Sequence, residues 1–395
     1  MIHAILAYDC FEREGVMRHK SRSFKIILIV LWPVLLMLFP CFAQKIKIEQ
    51  IDGVTVVYNP KEPVKKPGAS SSLDLIQDLC IGDSPDDENY MFSQIGGVMV
   101  DVDEDIIVID EKEVVIKVYD KHGKHLRTFG KRGGGPGEFN TARRIVLKGG
   151  KDIVVMDNGN NRLSYYSKEG QCLQEISLGK YSSITRAKPD SQGYIYADTM
   201  TVDEDTGIYE IVKLDPELNM VATLAKAEQI RKFPEVNPVP EWFIYTVMED
   251  DRFIWGWNAK YELTIHDPDG ATVMKIVKDY EPVKITKKEQ EKIMEESFGD
   301  MEIPDMIKIV FPKSFPPFYY FICDDTGRVY VRTQRENDQG DLEWDVFDEE
   351  GVYILSFFLP PGELLYCIRN NNAYTFINEP EDGIPLVLRY RMDWR

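Results

Sequence analysis

Arg127-Thr128-Phe129-Gly130-Lys131-Arg132-Gly133-Gly134-Gly135-Pro136-Gly137-Glu138-Phe139 is the stretch on which the fold turns. Its glycines invite comparison with a phosphate-binding loop, and the comparison fails. A P-loop needs GxxxxGK[ST] opening a helix, and here Gly137 is followed by Glu138-Phe139-Asn140. A GxGxxG fingerprint running from strand to helix is absent too. A crossover between two sheets explains the segment better. Moving from the outer strand of one sheet to the inner strand of the next covers three strand spacings, about 14–15 Å, which about five extended residues span. Gly133–Gly135 permit unusual backbone angles, Pro136 fixes a turn residue, and Phe139 is an anchor for the core.

Outward from this segment one theme repeats. Gly97–Asp101, Ile106–Asp110 and Val115–Asp120 are apolar strands, Lys121–Lys124 makes a turn, and His125–Gly130 closes the unit. The second copy runs through Arg144–Leu147, Ile153–Asp157, Asn160–Tyr166 and Cys172–Ile176. Fainter copies centre on Tyr194–Asp215, Phe253–Asp267, Arg328–Asp348 and Ala373–Tyr390. Six copies with a period of roughly 40–50 residues and four strands each mark an all-β six-bladed β-propeller. The last copy lacks its outermost strand, so Leu73–Ile81 or Lys45–Tyr58, the latter read as one strand, is expected to complete it and close the ring. The spacing between the fourth and fifth copies is stretched. Thr286–Phe298 there predicts a short helix, an insertion near 285–300, with a capping box from Thr286 and Glu289. It is either a lid over a pocket or a surface decoration.

Tyr119–Gly130 followed by Gly133–Phe139, together with Asp157 and Asn160-Asn161-Arg162, resembles the NHL repeat. The chain as a whole is similar to the exported six-bladed propellers of Bacteroidetes. Relatives on the NHL scaffold imply protein or peptide binding, RNA binding in some intracellular members, and metal-dependent lyase or esterase chemistry in others. The motif covers two blades; periodicity carries the other four, over residues 73–395.

The N-terminus predicts export. Arg18, Lys20, Arg22 and Lys25 precede the apolar run Ile26–Phe39, and Cys41-Phe42-Ala43 follows. This pattern reads as a secretory signal peptide over residues 1–43, with Met17 as the true start. Cleavage after Ala43 frees Gln44; the competing route is a lipid anchor on Cys41, the chain's one predicted link to a membrane. Residues 44–72 are read as an N-terminal strand and a Pro/Ser-rich linker. The expected location is periplasmic or cell-surface associated.

The net charge is −19, and −21 without residues 1–43. So acidic a surface repels a phosphate backbone and argues against nucleic acid as a partner. Cys80, Cys172, Cys323 and Cys367 lie in separate strands without CxxC spacing and are read as free thiols. His122, His125 and His266 fall at outer turns, away from the channel. Asp101, Asp103 and Asp105 mimic a calcium loop, but Ile106 and Lys112 stand where Gly and Glu are required, so a β-turn is the better reading.

No catalytic set is legible. The expected ligand site is the channel mouth, where the innermost strands begin: Gln94, Arg143, Arg144, Arg186, Trp242 and Tyr319. Arginines beside aromatics suit an anionic, sugar-like or peptide ligand; inter-blade packing is the competing role for the same residues. The leading expectation is a monomeric, non-enzymatic binding module for a protein, peptide or glycan, with no cofactor. The alternative is a lyase or hydrolase with Ca or Zn in the channel.

Overall fold

The computed structural model describes residues 46–395 except 67–69, 85, 182, 183, 185, 231, 232, 300, 381 and 382, and gives no side-chain placement for Arg143. The predicted signal peptide lies outside the described residues. The strands form a six-bladed β-propeller, each blade built on an antiparallel sheet whose own strands run from channel to rim in chain order, with earlier strands added at the rims of blades 4 and 6.

The inner strands are Ile95–Val100, Ala142–Lys148, Arg186–Pro189, Phe243–Val247, Phe318–Cys323 and Glu363–Arg369, in blades 1 to 6. The second strands explain the apolar runs of the sequence. In Ile106–Asp110 every residue is buried, because both faces of the blade are covered. The pleat divides them: Ile106 and Val108 pack toward blade 6, Ile107 and Ile109 toward blade 2. The described buried apolar side chains fall into six clusters, one at each interface between neighbouring blades. The core is therefore a ring of interfaces, and no blade holds a core of its own.

The glycine-rich segment is the crossover from blade 1 to blade 2. Phe139 is fully buried and meets Tyr166 edge to face at 5.3 Å. Gly130 has φ of +88°, and a Cβ there would lie 2.5 Å from the Phe139 ring. Arg162 clamps the crossover by donating to the carbonyls of Gly135 at 3.0 Å and Glu138 at 2.7 Å. Asn160 donates to Gly133 O at 2.9 Å.

Two N-terminal pieces complete the rim. The strand β3 (Leu73–Ile81) pairs antiparallel with Leu386–Trp394 as the outer strand of blade 6, so the ring closes between the two ends of the propeller. The segment Lys45–Tyr58 corrects the single-strand expectation: it is a hairpin, β1 (Lys47–Ile51) and β2 (Val54–Asn59), turning at Asp52-Gly53 with positive φ at both. That is the two-residue Asp-Gly turn favoured by strand twist. β2 adds in parallel to Thr272–Lys278, making blade 4 six-stranded. The stretch read as a linker is docked against blade 5: Val64 N donates to Tyr353 O at 2.9 Å, and Lys66 pairs with Asp348 and Glu350. Asn59 fixes its start, donating to Gly351 O at 2.9 Å and accepting from Tyr353 N at 2.8 Å.

The predicted helix is present as α1 (Lys287–Phe298), with the capping box of Thr286 and Glu289 in place and no residue buried. Two short strands, Glu235–Val236 and Lys308–Ile309, pair in parallel and tie the connection before blade 4 to the one before blade 5. Blade 3 departs from the repeat: Ile195–Asp203, Thr206–Leu214 and Met220–Ile230 are 9, 9 and 11 residues long.

Candidate functional site

Inner strands of all six blades line a central cavity of about 1700 Å³. Each strand begins at the face carrying the blade-to-blade crossovers and ends at the opposite face, which carries tight turns. The start of each inner strand must be held, because its neighbour on one side is the channel. In blades 1 to 4 an Asp or Asn at or just after the second strand does this. Asp110 accepts from Ser93 N at 2.7 Å and Gln94 N at 3.3 Å; Asp157 accepts from Asn140 N at 3.1 Å and Thr141 N at 3.0 Å. Asn258 accepts from Trp242 N at 2.8 Å, and Asn378 from Ile95 N at 2.7 Å across the closure. The Asp that recurs in the sequence is thus a structural pin for the channel wall.

Five of the sequence-selected residues, Gln94, Arg144, Arg186, Trp242 and Tyr319, lie on the wall of this one cavity. Arg143 is in the same inner strand as Arg144, in blade 2. Their roles diverge. Arg186 is held by its own fold: Nε and Nη2 donate to Asp198 Oδ2 at 2.9 and 2.7 Å, Nη2 also to Phe243 O at 2.8 Å, and the guanidinium sits over Tyr245. It clamps blade 3 to blade 4, the competing role named for it. Trp242 and Tyr319 meet edge to face at 5.7 Å, with Tyr319 42% exposed. Arg144 is exposed in the cavity, and among the described residues it makes no hydrogen bond or ion pair.

The structure adds residues that the sequence did not single out. The Arg332 guanidinium stacks 4.8 Å from the Tyr319 ring centre, and its Nε has no hydrogen-bond partner. Its signal was a charged residue inside the apolar strand Val329-Tyr330-Val331-Arg332. Tyr366 reaches the wall from blade 6 because blade 1 has glycine opposite; a Cβ on Gly97 would lie 2.7 Å from the Tyr366 ring. Burial pushes the Tyr366 hydroxyl up from its ordinary value. Lys188 lies deeper, below Arg186 on the same strand, and donates to Thr246 Oγ1 at 3.0 Å. Burial, with Arg144 and Arg186 nearby, brings its amine down to about 7.

The two mouths differ in charge. Lys112, Arg132, Arg144, Arg186 and Arg332, with the acids Glu111 and Asp198, line the crossover-face end; Asp190, Glu249, Asp251, Asp324 and Asp325, with Arg369, line the turn-face end. Several of these acids are engaged: Asp251 accepts from Ser191 N at 2.8 Å, Asp325 from Asn370 N at 2.9 Å, and Glu249 pairs with Arg369. Among the described residues no three His, Cys, Asp or Glu side chains converge as a metal ligand set would. None of the three histidines lines the cavity. His266 accepts from Trp255 Nε1 at 2.9 Å through Nε2 and donates from Nδ1 to Gly270 O at 3.0 Å. Asp101, Asp103 and Asp105 form a turn, with Asp103 N and Asp105 N each donating to Asp101 at 2.9 Å, and Lys168 is their cation. All four described cysteines are free, with Cys323 and Cys367 on the channel wall. No residue of α1 lines the cavity.

Comparison with known proteins agrees with this architecture. An inferred exported protein of Bacteroides fragilis has a TM-score of 0.52 at 12% identity, over 86% of this chain and 100% of that one. A DUF4221 family member from Bacteroides vulgatus has 0.50 at 9%, over 82% and 100%. Virginiamycin B lyase from Staphylococcus aureus has 0.42 at 8%, over 80% and 99%. At these identities the likeness is one of fold alone. No protein of curated function matches the sequence. Residues 86–238, covering blades 1, 2 and 3, match the family DUF5128, described as a 6-bladed beta-propeller.

Proposed function

We propose that the protein is an exported binding module that recognises a protein, peptide or glycan at the crossover-face mouth of its channel. The observation that carries this reading is the aromatic and basic mouth itself. Trp242 and Tyr319 offer ring faces, Arg332 stacks behind them, and Arg144 has no hydrogen-bond or ion-pair partner among the described residues. Rings of this kind stack on sugars or peptide side chains, while the guanidinium groups fix polar or anionic groups. Gln94 adds an amide at the same end.

Export is supported by the basic-apolar-small pattern of residues 18–43 and by the inferred export of the Bacteroides fragilis protein of like fold. The NHL-type assignment is supported by Asp157, Asn160 and Arg162, which act together on the crossover of blade 1 to blade 2. In this reading the module acts as a monomer, without a cofactor, in the periplasm or at the cell surface.

The test is a screen of glycans and acidic or aromatic peptides, followed by calorimetric titration of the best binder. Trp242→Ala and Tyr319→Ala are each expected to weaken binding at least tenfold, with the melting temperature retained. Undiminished binding by both variants would place the ligand elsewhere and end this reading, as would stoichiometric Ca or Zn coupled to turnover. N-terminal sequencing of the processed protein is expected to begin at Gln44; a diacylglyceryl mass on Cys41 would overturn that cleavage site.

A further inference from the structure

Below the aromatic mouth the channel wall carries a group of cations that has too few counter-charges. Arg186 is neutralised by Asp198. Lys188 is not: among the described residues its hydrogen-bond partner is the Thr246 hydroxyl from blade 4, and that hydroxyl turns on to Val247 O at 3.4 Å. Arg144 approaches from blade 2 and Cys323 from blade 5. Among the described residues neither Lys188 nor Arg144 has a carboxylate within ion-pair distance. A buried or half-buried cation without a partner is costly, and the cost is relieved by losing a proton or by gaining an anion.

We propose that the throat between Arg144, Lys188 and Thr246 is an oxyanion site whose ligand binds together with a proton on Lys188. The ligand group is a carboxylate or a phosphate or sulfate ester, carried by whatever molecule the mouth admits. This rests on the channel being a ligand site, as proposed above, and names the chemistry recognised at its floor. Arg144 supplies a permanent charge and planar donors, Lys188 a charge that appears on binding, and Thr246 a hydroxyl that can turn from Val247 O to the anion.

The proton sets the direction of the pH response. Free Lys188 loses its proton near pH 7, earlier than an ordinary lysine, because of burial and then the neighbouring Arg144 and Arg186. The charged groups facing it are those two arginines, which stay protonated, and the Cys323 thiol, which burial pushes well up and so keeps neutral. An anion favours protonated Lys188. Affinity is therefore full below pH 7 and falls above it, by up to about tenfold per pH unit, until the raised value of the complex is reached.

The experiment is calorimetric titration of the full chain with sulfate, whose charge is constant, at pH 6, 7, 8 and 9. The expected result for the unaltered protein is weakening of about tenfold per unit above pH 7. Lys188→Arg is expected to bind at all four values with no slope, and Lys188→Met to bind weakly with no slope. Far-UV circular dichroism and melting confirm that each variant is folded. A pH-independent affinity in the unaltered protein, or a slope kept by folded Lys188→Met, would overturn the proposal. Glucuronate and glucose 6-phosphate, titrated beside sulfate, identify the carrier group; failure of all three overturns the site. Sulfate binding with the expected slope, when Trp242→Ala leaves every screened ligand untouched, removes the mouth reading alone. Trp242-dependent ligand binding with no sulfate response removes the throat site alone.

Discussion

Arg162 earns its place at the blade 1 to blade 2 crossover through three carbonyls, Gly134 O, Gly135 O and Glu138 O, and two carboxylates, Asp157 and Glu175. Those groups are largely removed from water, so replacing Arg162 with Met strands them. The expected loss is about 2–3 kcal/mol in urea unfolding, since hydrogen bonds to a charged group are worth about 1.5–3 kcal/mol. His266 gives a second test. Its Nε2 accepts from Trp255 and its Nδ1 donates to Gly270 O, an arrangement open to the neutral ring only. Burial lowers its value below the ordinary 6.5. The folded state therefore resists protonation that the unfolded chain accepts: the contribution is intact above pH 6.5 and is lost as pH falls below it. Unfolding free energies at pH 7.5 and 5.5 should differ by less in His266→Gln than in the unaltered protein; an equal acid loss would contradict the assigned tautomer. At this scale the sequence was legible where partners are local. Asp157, Asn160 and Arg162 stand within six positions of one another. Lys188 was illegible, because its setting comes from Arg144, Thr246 and Cys323 on three other blades.

Elements carry the joints between blades. The N-terminal hairpin joins blade 4 to blade 5 through Asn59, which is 3% exposed and whose amide serves both blades. Asn59→Ala leaves Gly351 O and Tyr353 N without it and should cost about 1–3 kcal/mol. The same joint buries Lys278 3.2 Å from Asp345, with Tyr261 and Ser356 also donating to that carboxylate. Asp345→Asn leaves Lys278 enclosed without its carboxylate partner. The expected cost is about 3–5 kcal/mol, visible as a lower denaturation midpoint. The Asn59→Ala effect would be absent if the N-terminal segment were detached in solution. The sequence showed the rim strands unevenly. β3 was legible from the strand missing in the last copy. The hairpin was obscured because Asp52-Gly53 sits inside an alternating run, where the apolar pattern alone suggests one strand. The docked strap was hidden by its Pro- and Ser-rich composition, which describes its lack of ladder pairing and says nothing of its contacts.

For the whole molecule, the ring converts six weak repeats into one channel with opposite charge at its two ends. Anionic ligands should therefore bind at the crossover face and lose affinity as salt rises, as long-range attraction is screened within about 10 Å at 0.1 M. Titration of the best anionic binder from 0.02 to 0.5 M NaCl is expected to weaken it; a salt-independent affinity would point to the aromatic rings alone. Ring architecture was legible because periodicity survives substitution, even where blade 3 lengthens its strands. The site was less so, since its wall takes residues from every blade and neighbours there are commonly forty or more positions apart. Strand starts supplied Trp242 and Tyr319, but Arg332 and Tyr366 required the blades to be assembled.

Closure by β3 against Leu386–Trp394 also orders the life of the chain in time. A strand made before the first blade waits for the third strand of the sixth, with Arg395 N donating to Ser72 O at 3.0 Å just beyond their junction. A growing polypeptide can pair strands within a blade, yet its first and sixth blades have no shared interface until the sixth has been made. Until then the repeat array stays open, and it becomes a ring only when Leu386–Trp394 arrives.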